Sequence, residues 1–487
     1  MAGQAHYTSA PPSADAPHGG FRFTAVSPTA RPALDALRPL AGQPPPPGTP
    51  GHDVPVAFAH DRPDGDAAVL TRTRASGQDY TGRRGNHFCH VLYATPGELA
   101  GLRPVELWDT PHWAPEPARH DGPDLPDLTP LLPGSAVGPD RVARLLAGLG
   151  DPGVRLLERL LATTLRALAG EGPGATLVAA DAERVVDWIA AVSYALPAGL
   201  AARLTFTTYA ARPQDDHRHL RGTLPDTAAR APDPVFHLDR PAEAGHAEPS
   251  ATARFLAGAL EGGRLDLLDA VADLWDAADA GPADSTPTGV RRLRAACALL
   301  APGGDPLSLG GADADLAGFV RAVAELRPEQ AVLAPDRLRD AAARRLAHRT
   351  APLGDVRTAL APLAEPYRAA VLAGLLAALE ASADLRNAVL DAQTCASLAS
   401  LVAPGPPGRL VEEAPDVLAA APATALHVLR RAPGEPRPAA LRILRLFRQG
   451  LWEETETYEA LHDLVQPREP ERTPRLLWRR GPARERE

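Results

Sequence analysis

The sequence predicts an α+β N-terminal half followed by an all-α helical array. Residues 1–135 hold short β-branched and aromatic runs broken by glycine, proline and aspartate turns. Residues 139–245 mix helical spacing with strand-like runs, and 250–465 show helical spacing throughout. A tail, 466–487, has seven arginines, four glutamates and four prolines and reads as disordered or as a docking segment. At ~150 residues per domain, the 487-residue length fits this division into three domains and a tail.

In order, strands are expected at 21–26, 54–58, 69–74 and 88–93. Turn-formers separate them at 19–20, 44–51, 64–66 and 82–85, the second containing four successive prolines that make a stiff spacer. Residues 140–168 carry helical spacing, with Leu145, Leu149, Leu156, Leu160 and Leu161 on one side. Asp181 is placed to cap a helix that runs through Val185, Trp188 and Val192. Residues 204–209 and 236–238 read as strands. Beyond them, Leu265, Leu268, Ala272 and Trp275 form one apolar stripe, and Val290, Leu293, Cys297 and Leu300 form another. Further helices are expected at 316–326, 335–348, 366–381, 384–402, 413–431, 437–449 and 453–464, without a fixed repeat period.

Composition excludes several functions. All 51 basic residues are arginine, so neither a P-loop lysine nor a Schiff-base lysine exists in this chain. The scarcity of isoleucine, asparagine and methionine beside abundant alanine, glycine, proline and arginine reflects a GC-rich coding bias. A net charge of -9 argues against a general nucleic-acid binder. Three scattered cysteines, Cys89, Cys297 and Cys395, form neither a disulfide framework nor a CxxC metal pair. No run approaches the ~20 apolar residues of a membrane span, and the first ten residues lack a signal pattern. The expected setting is the cytoplasm, with no cofactor, no membrane and no nucleic-acid partner.

The densest polar stretch is Tyr80-Thr81-Gly82-Arg83-Arg84-Gly85-Asn86-His87. Glycine-flanked backbone N–H groups can form an anion-binding nest, and arginine adds bidentate recognition of carboxylate or phosphate. The same residues also suit a tight turn between strands, with glycines at positive φ and Asn86 bonding its own backbone. Tyr80, Arg83, Arg84, Asn86 and His87 are therefore the candidate binding residues, for an anion or a protein partner. His87, Cys89 and His90 follow. A thiol nucleophile at Cys89 with His87, His90 or a distant His6 or His60 is one reading; a buried core cysteine is the other. His87 and Cys89 would share a strand face while His90 points away. Residues 215–219, Asp-Asp-His-Arg-His, offer metal-ligand types but read equally as a solvated loop.

Several segments together resemble a known family. They are residues 4–9 and 20–28, Val69-Leu70-Thr71-Arg72-Thr73, residues 79–92, Leu204-Thr205-Phe206-Thr207-Thr208-Tyr209 and Gly222-Thr223-Leu224-Pro225-Asp226. Their order is similar to the actinobacterial GTPase-associated protein 1 family, over about residues 3–110 and 140–240. The resemblance implies an N-terminal domain, a middle domain and a helical C-terminal region. It also implies a non-catalytic adaptor or regulator of a separately encoded GTPase or effector, within NTP-dependent conflict systems of bacteria, with no catalytic residue set to carry over. The family segment has an aromatic after the asparagine, where this chain has His87. Two rival functions stand beside the adaptor: a cysteine- or metal-dependent hydrolase centred on Cys89 with His87 or His90, and a scaffold with no GTPase partner.

Overall fold

The computed structural model describes residues 1–301, apart from 14–16, 42–53, 64–66, 96, 100, 119–123, 233, 241–247 and 277–285. The proline run at 44–47, Cys395, the helices expected beyond 301 and the C-terminal tail lie outside the described residues.

One mixed sheet organises the chain. Its antiparallel half is built by β1 (Gly3–Ala10), β2 (Gly20–Val26), β3 (Ala57–Asp61), β4 (Ala68–Gln78) and β5 (Arg84–Ala94). The second half is parallel: β6 (Ala175–Val178), β7 (Phe206–Thr207), β8 (Leu220–Thr223) and β9 (Val235–His237). The order is β2-β1-β5-β4-β3-β7-β8-β6-β9. The halves join where β3 pairs antiparallel with β7, through Ala59↔Thr207 and His60↔Phe206. The sheet therefore runs without a break from the first sequence region into the second.

Helices follow the strands: α1 (Leu34–Leu37), α2 (Pro139–Leu168), α3 (Ala182–Ala195), α4 (Ala198–Ala201), α5 (Ala251–Glu261), α6 (Leu265–Asp276) and α7 (Thr286–Leu300). The Asp181 side chain accepts the Arg184 N–H at 2.8 Å, as its position before α3 predicts. Gly150 adopts φ 56° inside α2, just before Pro152, so α2 is two helical segments across a kink.

Because alternate strand residues point to opposite faces, β5 divides its side chains between two cores. Leu92 joins Leu70, Phe58, Trp108 and Trp113 on the face covered by α2 and α3. Cys89 and Val91 join Ala5, Val69 and Leu37 on the face covered by the turn of α1. The larger core also contains Leu256, Val271, Val290 and Leu293, so α5, α6 and α7 pack into the same interior as the sheet.

Several sequence expectations differ from the structure. β1 is an additional strand; its Gly-Gln-Ala-His-Tyr-Thr-Ser-Ala sequence lacks the usual apolar signal but is mostly buried. The strand expected at 54–58 is shifted to Ala57–Asp61, since Pro55 has no N–H to give and the Val56 carbonyl is taken by the Thr208 hydroxyl at 3.2 Å. Of residues 204–209 only Phe206 and Thr207 form a strand, because Thr205 bonds His219 and Thr208 bonds across to β3. Leu265, expected on the apolar stripe of α6, is 46% exposed; Trp275 is buried as expected, and Val271 and Leu274 complete the buried face.

Candidate functional site

The β4–β5 hairpin closes through residues 79–83, and Asp79 organises the turn. Its Oδ1 accepts the Thr81 N–H at 2.8 Å, the Thr81 hydroxyl at 2.7 Å and the Arg83 N–H at 2.9 Å. The Asp79 N–H donates to the Arg83 carbonyl at 2.7 Å, and the Gly82 N–H donates to the Asp79 carbonyl at 3.0 Å. The nest of backbone donors thus exists, but the chain's own carboxylate fills it. The Thr81 hydroxyl, with the loop N–H groups, holds the Asp79 carboxyl below its usual range. Gly82 sits at φ 84°, a backbone state that L side chains rarely adopt.

With its backbone satisfied internally, the tip presents side chains. Arg83 and Arg84 are exposed, and Tyr80 is 42% exposed. The Tyr80 hydroxyl donates to the His18 carbonyl at 3.4 Å, which brings this tip against the β1–β2 turn. Gly19 is required there: a Cβ would lie 2.6 Å from the Tyr80 hydroxyl. Asn86 is half-buried with its Oδ1 3.5 Å from the Thr8 hydroxyl, in place of the expected bond to its own backbone. His87 is buried and stacks on Phe21, with centroids 4.4 Å apart. Burial holds its imidazole down at about 4. Tyr80, Arg83 and Arg84 therefore form a surface, while Asn86 and His87 lie beneath it.

Cys89 is fully buried, and burial pushes its thiol up to about 12. Among the described residues no imidazole is arranged to take its proton. His87 shares its face but packs on Phe21. His90 points to the other face, where its Nε2 meets Gln4 Oε1 at 3.0 Å and its Nδ1 accepts the Ala114 N–H at 2.9 Å. His6, the cross-strand partner of His90, stacks edge-on against it at 4.6 Å and accepts the Ala118 N–H through Nδ1 at 2.9 Å. These two imidazoles tie the chain near residues 114–118 to the sheet. His60 hydrogen-bonds the Leu204 carbonyl through Nδ1 at 2.8 Å across the β3–β7 seam.

Within the Asp215–His219 segment Asp215 and His217 are exposed, as its polarity suggests, but Asp216 and Arg218 are not solvated. Arg218 is gripped by Asp61 on one side, at 2.8 and 2.7 Å, and by Asp216 on the other, at 2.6 Å. Burial holds the Asp61 carboxyl above its ordinary range against the pull of Arg218. Sequence reading missed this cluster because Asp61 lies 157 residues away in the chain. His219 Nδ1 takes the Thr205 N–H at 3.0 Å. Among the described residues no group of three or more His, Cys, Asp or Glu side chains is placed to hold a metal ion. Among them, too, no helix is long and apolar enough to cross a membrane.

Comparisons with known proteins agree with the sheet's two halves. Residues 1–131 match GTPase-associated protein 1, N-terminal domain type 2, and residues 143–242 match its middle domain. The chain is also 31% identical over 158 residues to "Putative ESX-1 scaffolding and assembly protein SaeB" of Mycolicibacterium smegmatis strain mc(2)155, covering 32% of this chain and 19% of that protein. The protein of the same description from strain MKD8 is 30% identical over 166 residues, with the same 32% and 19% coverage. The chain thus spans about a fifth of the length of these curated relatives. No solved structure matches it. In its N-terminal and middle regions, this chain matches the GTPase-associated protein 1 family.

Proposed function

We propose that this protein is a non-catalytic adaptor or regulatory partner of a separately encoded GTPase or effector, acting in the cytoplasm within a bacterial NTP-dependent conflict system. The observation that carries the reading is the paired match to two GTPase-associated domains in a chain with no lysine for a P-loop. The description of the relatives as scaffolding and assembly proteins supports it. In this reading residues 1–135 and 139–245 are two domains sharing one sheet, and 250–465 scaffolds further contacts. The net charge of -9 favours a protein partner over nucleic acid.

The contact surface we assign is the β4–β5 tip. Arg83 and Arg84 sit on a turn already rigid through Asp79, so little order is lost when their guanidinium forks meet partner carboxylates. Tyr80 adds an exposed aromatic anchor. Asn86 and His87 support that surface from below. The hydrolase reading lacks its nucleophile, since the Cys89 thiol is buried and pushed up to about 12.

A pull-down with the GTPase encoded beside this gene tests the proposal. Replacing both Arg83 and Arg84 with alanine should cost ~2 kcal/mol or more of binding if both are anchors, with the melting temperature nearly unchanged. Equal recovery of wild type and variant would remove the tip from the interface. No recovery of either would remove the adaptor reading.

A further inference from the structure

On the other side of the same hairpin, β4 carries two arginines that the adaptor reading does not use. Arg72 and Arg74 are two residues apart on β4, so they share one face of the sheet, ~7 Å apart along the strand. Both are half-buried. The Arg72 guanidinium lies 5.5 Å over the Trp108 ring, and the Arg74 guanidinium lies 5.5 Å over Phe88. Stacking on a ring fixes a guanidinium while leaving its in-plane N–H edge open. No described residue accepts a hydrogen bond from either group or forms an ion pair with it.

Neither nearby carboxylate bonds Arg72, although Asp109 Oδ1 is buried without a hydrogen-bond partner. Asp109 and Glu183 are the acidic groups whose charge reaches Arg72. Asp109 Oδ2 accepts the Ser135 N–H at 3.1 Å and the Ala136 N–H at 2.8 Å. Glu183 accepts Trp108 Nε1–H at 3.2 Å and Arg141 Nη2–H at 2.8 Å. Arg72's cross-strand neighbours are Phe58 on β3 and His90 on β5. The His90 imidazole stays neutral well below the usual histidine range, so it brings no opposing charge. Burial first, then the charge of Arg74, works against the charged form of Arg72. Two like charges therefore share a partly desolvated face, and although Asp109 and Glu183 act on Arg72 through space, no carboxylate among the described residues bonds either guanidinium directly.

We propose that Arg72 and Arg74 form a binding site for a small phosphate-type oxyanion, either free phosphate or the phosphate of a mononucleotide. One tetrahedral oxyanion can accept from both forks at N–H···O distances of about 2.9 Å. It would neutralise the pair through several charge-assisted bonds. The site is separate from the exposed tip, so its fate does not depend on the GTPase contact.

The test is thermal unfolding of the full chain in inorganic phosphate against chloride at matched ionic strength, followed by titration calorimetry. Wild type should show a saturable rise of about 2 °C or more at tens of millimolar phosphate. Arg74→Gln, and Arg72→Gln with Arg74→Gln, should lose that rise. Arg72→Lys with Arg74→Lys keeps the charge but loses the forks, and should bind at least several-fold more weakly. Parallel arms with guanosine and adenosine monophosphates and the parent nucleosides identify the source. Tighter binding of a monophosphate than of phosphate assigns a nucleotide; equal binding assigns the phosphate group alone. The proposal is overturned if wild type shows no saturable response to any phosphate, or if the folded Arg74→Gln protein responds like wild type.

Discussion

Arg218 clasps Asp61 through two parallel hydrogen bonds, Nε to Oδ1 at 2.8 Å and Nη2 to Oδ2 at 2.7 Å, and so ties the end of β3 to the loop before β8. Asp216 holds the third edge of the guanidinium, its side chain wholly buried. Such a cluster contributes little net stability when whole, because desolvation offsets attraction, but it is costly to break. Arg218→Ala leaves two buried carboxylates without the cation that hydrogen-bonds them. It should lower unfolding free energy by about 3–5 kcal/mol in a urea titration. Adding Asp61→Asn should recover part of that loss. A single-variant loss below about 1 kcal/mol would show that the cluster relaxes into water.

The buried imidazoles set an acid limit. His6, His60, His87 and His219 are all held down at about 4, each chiefly by burial. In the unfolded chain they titrate near 6.5, so the fold favours the neutral ring. Their contribution is fully present above pH 6.5 and is lost as pH falls toward 4. For His60, wholly buried, a shift from 6.5 to about 4 corresponds to about 3 kcal/mol. His6 adds a geometric penalty: a protonated Nδ1 becomes a donor facing the Ala118 N–H. Melting temperature should drop steadily from pH 7 to pH 4.5. A flat profile across that range would contradict the assignment of neutral buried rings.

Much of this was legible in the sequence, for identifiable reasons. β2, β4 and β5 announce themselves by aromatic and β-branched alternation, and Asp181 by its place before an apolar period. β1 does not, since it buries Gln4 and His6 through specific hydrogen bonds rather than apolar bulk. β6 and β8 are short, and β8 carries Arg221 and Gly222 where a strand pattern expects apolar residues. At the tip, glycines and arginines are conspicuous, but the organising residue is Asp79, two positions before Thr81, whose role is visible only once the loop N–H groups point at it. The Asp61–Arg218 contact and the Arg72–Arg74 pair depend on register and on ring neighbours that local spacing does not encode.

Asp79 gives the tip its shape, so its removal should be felt locally. Asp79→Ala frees the Thr81 and Arg83 amides from their shared acceptor. Hydrogen exchange of those amides should quicken markedly, while exchange at Val91 in the core of β5 should not change. GTPase capture should weaken even though Arg83 and Arg84 are intact, because the side chains lose their rigid mount. Unchanged exchange at both amides would mean that the turn closes without the carboxylate.

The last prediction concerns where the folded unit stops. The middle-domain match ends at residue 242, yet α5 packs onto α2 and buries Leu256 and Leu260, while α7 buries Val290 and Leu293. Arg294 on α7 also pairs with Glu171 beyond the end of α2, at 3.3 and 3.0 Å. Burying one leucine or valine is favourable by roughly 1.5–3 kcal/mol, so those four side chains together rival the whole stability of an ordinary domain. A chain truncated after residue 240 should aggregate or melt well below one truncated after residue 301, and it should bind hydrophobic dye through the uncovered face of α2. Supplying residues 249–301 as a separate segment should restore part of the stability. Equal melting of the two truncated chains would show that α5–α7 cover the middle domain without supporting it.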